Sequence, residues 1–199
     1  MKPFPVIVLL AGMLGLGSHN TANAALAADG HIALAPASLH VLVGESFSVN
    51  IEGQDFMKSV QGGGLELFFS PAVLRVDRVS FDPIWNFETR VDTGRGEAGI
   101  DNVNGRIDAI SFAAFPNGPT GNFRIATIDF TALAAGRSRI DLAADNFFAF
   151  SDDLGDPLSP TFASGEVDVT VVPVPAALWL MVAGLGVFGA GKRPARRAR

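Results

Sequence analysis

Between residues 32 and 171 the apolar side chains recur at every second position in short runs broken by Gly, Pro, Asn and Asp. No run keeps a helical period beyond a turn or two. A chain written this way buries one face of a strand rather than one stripe of a helix, so the fold class is all-β. In "ESFSVNI", Phe47, Val49 and Ile51 share one side and Ser46, Ser48 and Asn50 the other; "GLELFF" repeats the device with Leu65, Leu67 and Phe69. "RIATIDFTAL" sets Ile125, Thr127 and Asp129 against Ala126, Ile128 and Phe130. "RSRIDL" follows Gly136, and "GEVDVTVV" alternates Val167, Val169 and Val171 with Glu166, Asp168 and Thr170. In "GIDNVNGRIDAISF" two alternating runs flank Asn104-Gly105, a pair suited to the two positive φ angles of a type I′ hairpin turn. The sum is roughly nine short strands at the spacing of a β-sandwich. Sixteen Phe and no Tyr fit a core of rings that have no hydroxyl to satisfy.

Both ends of the 199-residue chain depart from this pattern. Residues 1–24 run from Met1-Lys2 through an apolar core over 4–17 to Ala22-Asn23-Ala24, the small-x-small site after which signal peptidase is expected to cut. The alternative, a first hydrophobic strand, leaves the order of charge, apolar run and small-residue site unexplained. Residues 172–199, "VPVPAALWLMVAGLGVFGAGKRPARRAR", hold a Pro-x-Pro, an uninterrupted apolar run over 176–191 and a basic end. As a helix that 16-residue run is about 24 Å long, short against a hydrocarbon core of about 30 Å. A transmembrane helix is expected to begin near Pro175, with the basic tail 192–199 cytoplasmic and the preceding domain, 25–171, outside.

Lys2, Lys192, Arg193, Arg196, Arg197 and Arg199 lie in these ends, which leaves nine basic residues against all 20 acids and a net charge of about −11 on the middle. Nucleic acid and anionic lipid are disfavoured as partners, since a phosphate-binding surface needs clustered Lys and Arg. Cysteine is absent, so there is no disulfide framework, thiol nucleophile or thiolate metal site. Hydrophobic packing alone must hold an exported domain of this size.

"VLVGESFSVNI", then "LELFFSPAVLRV", then "IATIDFTALAAGRSRIDL" together resemble the cohesin domain. Its hallmarks are a V-G-x-x-F/V-x-V opening strand, an F-x-L-x-Y-D-P-x-V-L segment and a late A-x-I/L-x-F…G-x-x-x-I pair. The likeness runs in order over residues 34–171. It places Leu65, Leu67, Phe69, Pro71, Val73 and Leu74 at core and turn positions, with Ser70 where Asp is usual. What it implies is a nine-stranded jelly-roll sandwich akin to some carbohydrate-binding modules, without implying cohesin function. In that family dockerin is bound through a sheet face or edge.

Few residues suggest chemistry. His19, His31 and His40 are the histidines, and no G-x-S-x-G elbow accompanies them, so the chain is read as no enzyme. "DNVNGRID" fails as an EF-hand because aligning Gly105 with the invariant glycine puts Ile100 at the first ligand position. "DNFFAFSDDLGDP" gathers Asp145, Asn146, Asp152, Asp153 and Asp156, candidate Ca²⁺ ligands if their oxygens converge and a solvated acidic turn if they do not. "FDPIWNF" offers Trp85 as a candidate glycan contact if it is exposed and as a plug for one end of the sandwich if it is not.

The terminal segment resembles the PEP-CTERM sorting signal in its V-P-x-P-A-A-x-W-L form. Val172, Pro173, Pro175, Ala176, Ala177, Trp179, Leu180, Gly184 and Leu185 match it, as does the basic end with Arg193, Arg196 and Arg197. Val174 departs from the Glu of the broader family. The resemblance implies an exopolysaccharide-producing Gram-negative host. There a membrane exosortase removes the segment near the proline pair, much as a GPI signal is removed; a plain single-pass anchor is the alternative. The expectation is an inner-membrane-anchored precursor facing the periplasm and a mature form at the cell surface or in the matrix. Its binding module would be associated with exopolysaccharide or biofilm. The alternatives are a glycan-recognising protein and a dockerin-type receptor.

Overall fold

The computed structural model describes residues 28–86 and 96–171. Ala22 and Ala24 of the expected signal cleavage site, the whole of the sorting-signal match from Val172 onward, and Phe87 lie outside the described residues. Among the described residues no helix is long and apolar enough to cross a membrane; the expected span over 176–191 lies outside them.

Those residues form two packed β-sheets and no helix. The strands are β1 (His31–Ala35), β2 (Ser38–Leu42), β3 (Ser46–Phe56), β4 (Gly62–Phe68), β5 (Leu74–Phe81) and β6 (Gly96–Asp101). They continue as β7 (Arg106–Ala113), β8 (Gly121–Ala132), β9 (Gly136–Ala144), β10 (Thr161–Phe162) and β11 (Gly165–Thr170). One sheet has the order β10-β1-β3-β8-β5 and the other β2-β11-β9-β4-β7-β6. Among the described residues there are eleven strands where roughly nine were expected, and the chain crosses from one sheet to the other between β1 and β2 and again between β10 and β11. Pro36, without an N–H for the ladder, sits at the first of these crossings.

Alternation placed most side chains as read. Val49, Ile51, Leu65, Leu67 and Phe69 are buried, and Val167 and Val169 close the core from β11. Three local readings change. Ile125 does not face solvent with Thr127 and Asp129: both Ile125 and Ala126 are fully buried. The β3–β8 register passes from Ile51↔Ala126 to Glu52↔Arg124, so Ile125 is the extra residue of a bulge that turns the strand's upstream half over. The Asn104-Gly105 hairpin is real, but its loop is the four residues 102–105 between the paired Asp101 and Arg106. Within the pair only Gly105 has positive φ, at 69°. Asp101 Oδ1 accepts the N–H groups of Val103 and Asn104 at 3.1 and 3.0 Å, which stabilises a longer turn than type I′. Val171 is 64% exposed, one residue past the end of β11.

The sandwich has two poles. At one, β11 ends beside β2, with Val43 N–H donating to Thr170 O at 2.9 Å and Phe69 N–H to Gly105 O at 2.8 Å. At the far pole the longer connections meet: Val60 N–H donates to Pro119 O at 2.8 Å and Gln61 N–H to Ser151 O at 2.9 Å. The aromatic core follows the same division. Phe47 and Phe69 contact Phe130 near the C-terminal pole, while Trp85, Phe112, Phe123 and Phe150 interlock near the far one.

Candidate interaction surface

The outer face of the five-stranded sheet carries side chains that hydrogen-bond one another. Ser48 Oγ donates to Asp129 Oδ1 at 2.7 Å, Thr127 Oγ1 to Asn50 Oδ1 at 2.8 Å, and Arg78 Nη2 to Asp129 Oδ2 at 2.8 Å. The Thr131 hydroxyl and, after it, Arg75 hold the Asp77 carboxyl below its ordinary range. These groups already have partners within the fold.

On the outer face of the six-stranded sheet, β9 and β11 likewise pair Arg137 with Asp168 and Arg139 with Asp141 at 2.9 and 2.7 Å, but the part on β4 is built differently. Alternation along β4 turns Gly64, Glu66 and Phe68 outward, opposite the buried Leu65 and Leu67. Phe68 is 37% exposed, and Glu66 makes no side-chain hydrogen bond or ion pair among the described residues. Beside it β7 carries an irregularity between the pairs Leu65↔Ile110 and Leu67↔Ile107, and there Ala109 takes φ of 49°.

Toward the far pole this face opens into a cleft of about 330 Å³ on Gly62, Gly63 and Ala113, walled by Phe147 and Phe148. The glycines are there because the segment after β9 folds over them. A Cβ on Gly64 would lie 2.6 Å from Phe148 Cβ, and one on Gly63 would lie 2.7 Å from the Phe150 ring. Asp145 fixes the wall: it is 8% exposed, and its Oδ1 accepts the N–H groups of Phe147 and Phe148 at 2.7 and 3.0 Å. Phe147 itself is 89% exposed. The sequence reading passed over residues 62–64, Phe147 and Phe148. Three consecutive glycines opening a strand were the available signal, since they mark close approach by another segment.

The four carboxylates among the five candidate calcium ligands are not brought together; each has a separate task or none. Asp145 caps the Phe147-Phe148 turn. Asp152 Oδ1 accepts the N–H groups of Leu154 and Asp156 at 3.0 and 2.9 Å, with Lys58 Nζ 3.8 Å from its other oxygen. Asp153 Oδ1 accepts the Gly118 N–H at 3.0 Å. Ser59 first and that N–H second lower its carboxyl from the ordinary value. Asp156 has no side-chain partner among the described residues. No three acidic or histidine side chains among the described residues form a group that could hold a metal ion.

Trp85 is not a surface platform. It is fully buried, its ring 4.5 Å from Phe112 and 5.6 Å from Phe123 between centroids, and its Nε1–H donates to Arg124 O at 3.0 Å. No face is left for a sugar, and the end-plug reading of this residue holds. The two histidines among the described residues sit with an amide and a carboxylate: His31 Nε2 lies 2.8 Å from Gln54 Oε1 and His40 Nδ1 3.6 Å from Asp168 Oδ2.

No family model and no curated protein matches the chain. Solved structures do. A type I cohesin in a cohesin–dockerin complex from Clostridium thermocellum is 12% identical, with a TM-score of 0.60 over 73% of this chain and 96% of that one. A non-cellulosomal cohesin from the archaeon Archaeoglobus fulgidus is 14% identical, with a TM-score of 0.55 over 72% of this chain and 92% of that one. The cohesin module of a Clostridium perfringens family 33 glycoside hydrolase is 12% identical, with a TM-score of 0.58 over 73% and 99%. At these identities the likeness is one of fold: the described residues make a β-sandwich similar to cohesin modules.

Proposed function

We propose that the chain is an exported, non-enzymatic protein of the cell envelope or extracellular matrix whose cohesin-like sandwich binds another protein. The observation that carries this reading is the outer face of the six-stranded sheet. Exposed Phe147 and a glycine-floored cleft lie at one end of β4, with the unpartnered Glu66 and Phe68 further along the same strand, whereas the opposite face is occupied by its own hydrogen bonds. A few aromatic anchors in a pocket ringed by polar groups are what a protein interface needs. A dockerin-like partner agrees with the complexes in which similar modules are found. With Trp85 buried, the glycan-recognition alternative loses its only candidate residue.

Delivery rests on the sequence of the two ends. A signal peptidase would release residues 1–24, the segment from Val172 would hold the precursor in the inner membrane, and an exosortase would remove it near Pro173 and Pro175. The protein would then be displayed or released beside surface polysaccharide. Intact mass spectrometry of the protein from cells with and without the exosortase tests this: loss of the segment only when the enzyme is present is expected, and a C-terminus at Arg199 in both rejects it. For the binding face, the protein is titrated with a calcium-loaded type I dockerin. Binding that falls about 30-fold or more in the Phe147→Ala/Phe148→Ala double variant is expected. An unchanged affinity places the interface elsewhere, and no binding removes dockerin as the partner.

A further inference from the structure

The chain contains two Asp-Pro bonds, Asp82-Pro83 and Asp156-Pro157. Such bonds are the most acid-labile in proteins, because the aspartate side chain can close onto its own carbonyl carbon while the proline nitrogen leaves. Reaction requires a carboxylate able to turn onto that carbon.

At their carbonyls the two sites are alike. Asp82 O accepts the Trp85 N–H at 3.1 Å and Asp156 O accepts the Asp152 N–H at 3.0 Å, each a donor placed where negative charge would develop. They differ at the side chain. Asp82 Oδ2 takes Arg124 Nε and Nη2 at 3.0 and 2.7 Å, and its Oδ1 takes the Ile84 N–H at 3.2 Å. In the second turn those capping duties fall to Asp152, so the turn is closed without the Asp156 carboxylate. Asp156 is exposed and its side chain has no partner among the described residues.

We propose that Asp156-Pro157 is a self-cleavage site in mild acid, while Arg124 protects Asp82-Pro83. An Asp156 Oδ attacks the Asp156 carbonyl carbon and the C–N bond to Pro157 breaks. Its electron pair goes to the Pro157 nitrogen, which takes a proton from hydronium. One water opens the resulting cyclic anhydride to two carboxyl groups. The cut falls upstream of β11, which is paired to β2 on one side and β9 on the other. Strand pairing and the core packing of Leu158, Val167 and Val169 would then join residues up to 156 to whatever holds the C-terminus. This inference does not depend on how the C-terminus is processed.

The test uses the full chain in detergent, held at the lowest pH at which its β-sheet circular dichroism is intact, then denatured for intact mass measurement. Expected are fragments ending at Asp156 and starting at Pro157, together one water heavier than the parent, with cleavage at Asp82-Pro83 at least about tenfold slower. Asp156→Asn should abolish the first cut, Arg124→Ala should admit the second, and unfolding in guanidinium should equalise the two. Equal cutting in the folded protein, no cut at Asp156-Pro157, persistence of that cut in Asp156→Asn, or selectivity that survives unfolding would each overturn the proposal.

Discussion

The polar face of the five-stranded sheet and the β4 region of the six-stranded one are made by the same strand grammar and come out with opposite characters, although β9 and β11 beside β4 pair Arg137 with Asp168 and Arg139 with Asp141. On the five-stranded sheet the outward positions are Ser, Thr, Asn, Asp and Arg, spaced so that each meets a cross-strand partner, as Ser48 meets Asp129 and Asn50 meets Thr127. On the six-stranded sheet the outward positions of β4 are Gly64, Glu66 and Phe68, and the segment after β9 lays two phenylalanines against its glycine end. Cross-strand polar pairs contribute modestly and leave little to offer a partner. Exposed rings over a bare glycine floor leave apolar area unburied and a shape to fill. The difference between β4 and the polar face lies in which outward residues are satisfied within the fold.

The largest expected effect checks that the aromatic residue first suspected of binding belongs to neither face. Trp85→Ala should cost about 3–5 kcal/mol, through the cavity among Phe112 and Phe123 and the orphaned Arg124 carbonyl. In a Trp179→Phe background, which leaves Trp85 as the sole tryptophan, its fluorescence should resist acrylamide. Ready quenching would return Trp85 to the surface. A smaller effect compares the faces directly. Asp145→Ala removes a nearly buried acceptor of two backbone N–H groups and should cost about 1–3 kcal/mol. Asp129→Ala, on the polar face, removes partially exposed contacts to Ser48 and Arg78 that water can replace, and should cost about 1 kcal/mol or less. Chemical denaturation of the two variants side by side is sufficient, and equal costs would erase the distinction.

Period-two alternation made the fold legible, because burial of one strand face leaves a direct trace in the order of residues. It was blind at Ile125, where a bulge inserts one residue and turns the rest of the strand over, and at the hairpin, where the Asp101 carboxylate chose a longer turn than Asn-Gly alone suggests. The site was far less legible. Asp145 looked like a metal ligand because its oxygens were counted without the backbone N–H groups that would claim them. Phe147 and Phe148 looked like loop residues because the neighbour that gives them meaning, the glycine run at 62–64, lies about 80 residues away in sequence.

The smallest effect concerns pH and again divides the molecule by region. Among the described residues three carboxyls are held below the ordinary value of 3.8: Asp77 on the polar face by the Thr131 hydroxyl and then Arg75, Asp101 by the Asn104 side chain and backbone N–H, and Asp153 at the far pole by Ser59 and then the Gly118 N–H. A carboxyl lowered in the folded state binds its proton more weakly there than in the unfolded chain. Its contribution is therefore complete above the unfolded value and drains away as pH falls through the folded one. Urea midpoints should be flat with respect to these groups above about pH 5 and decline below about pH 4. Asp77→Asn should flatten part of that decline by acting on the polar face, and Asp153→Asn a separate part by loosening the Ser59 and Gly118 loops behind the cleft. Because Asp77 is exposed and Asp101 and Asp153 are only half-buried, solvent screening keeps each share small. If Asp153→Asn left the acid limb untouched while Asp77→Asn removed it, electrostatic support would belong to the polar face alone, and the cleft would be held by packing and backbone hydrogen bonds.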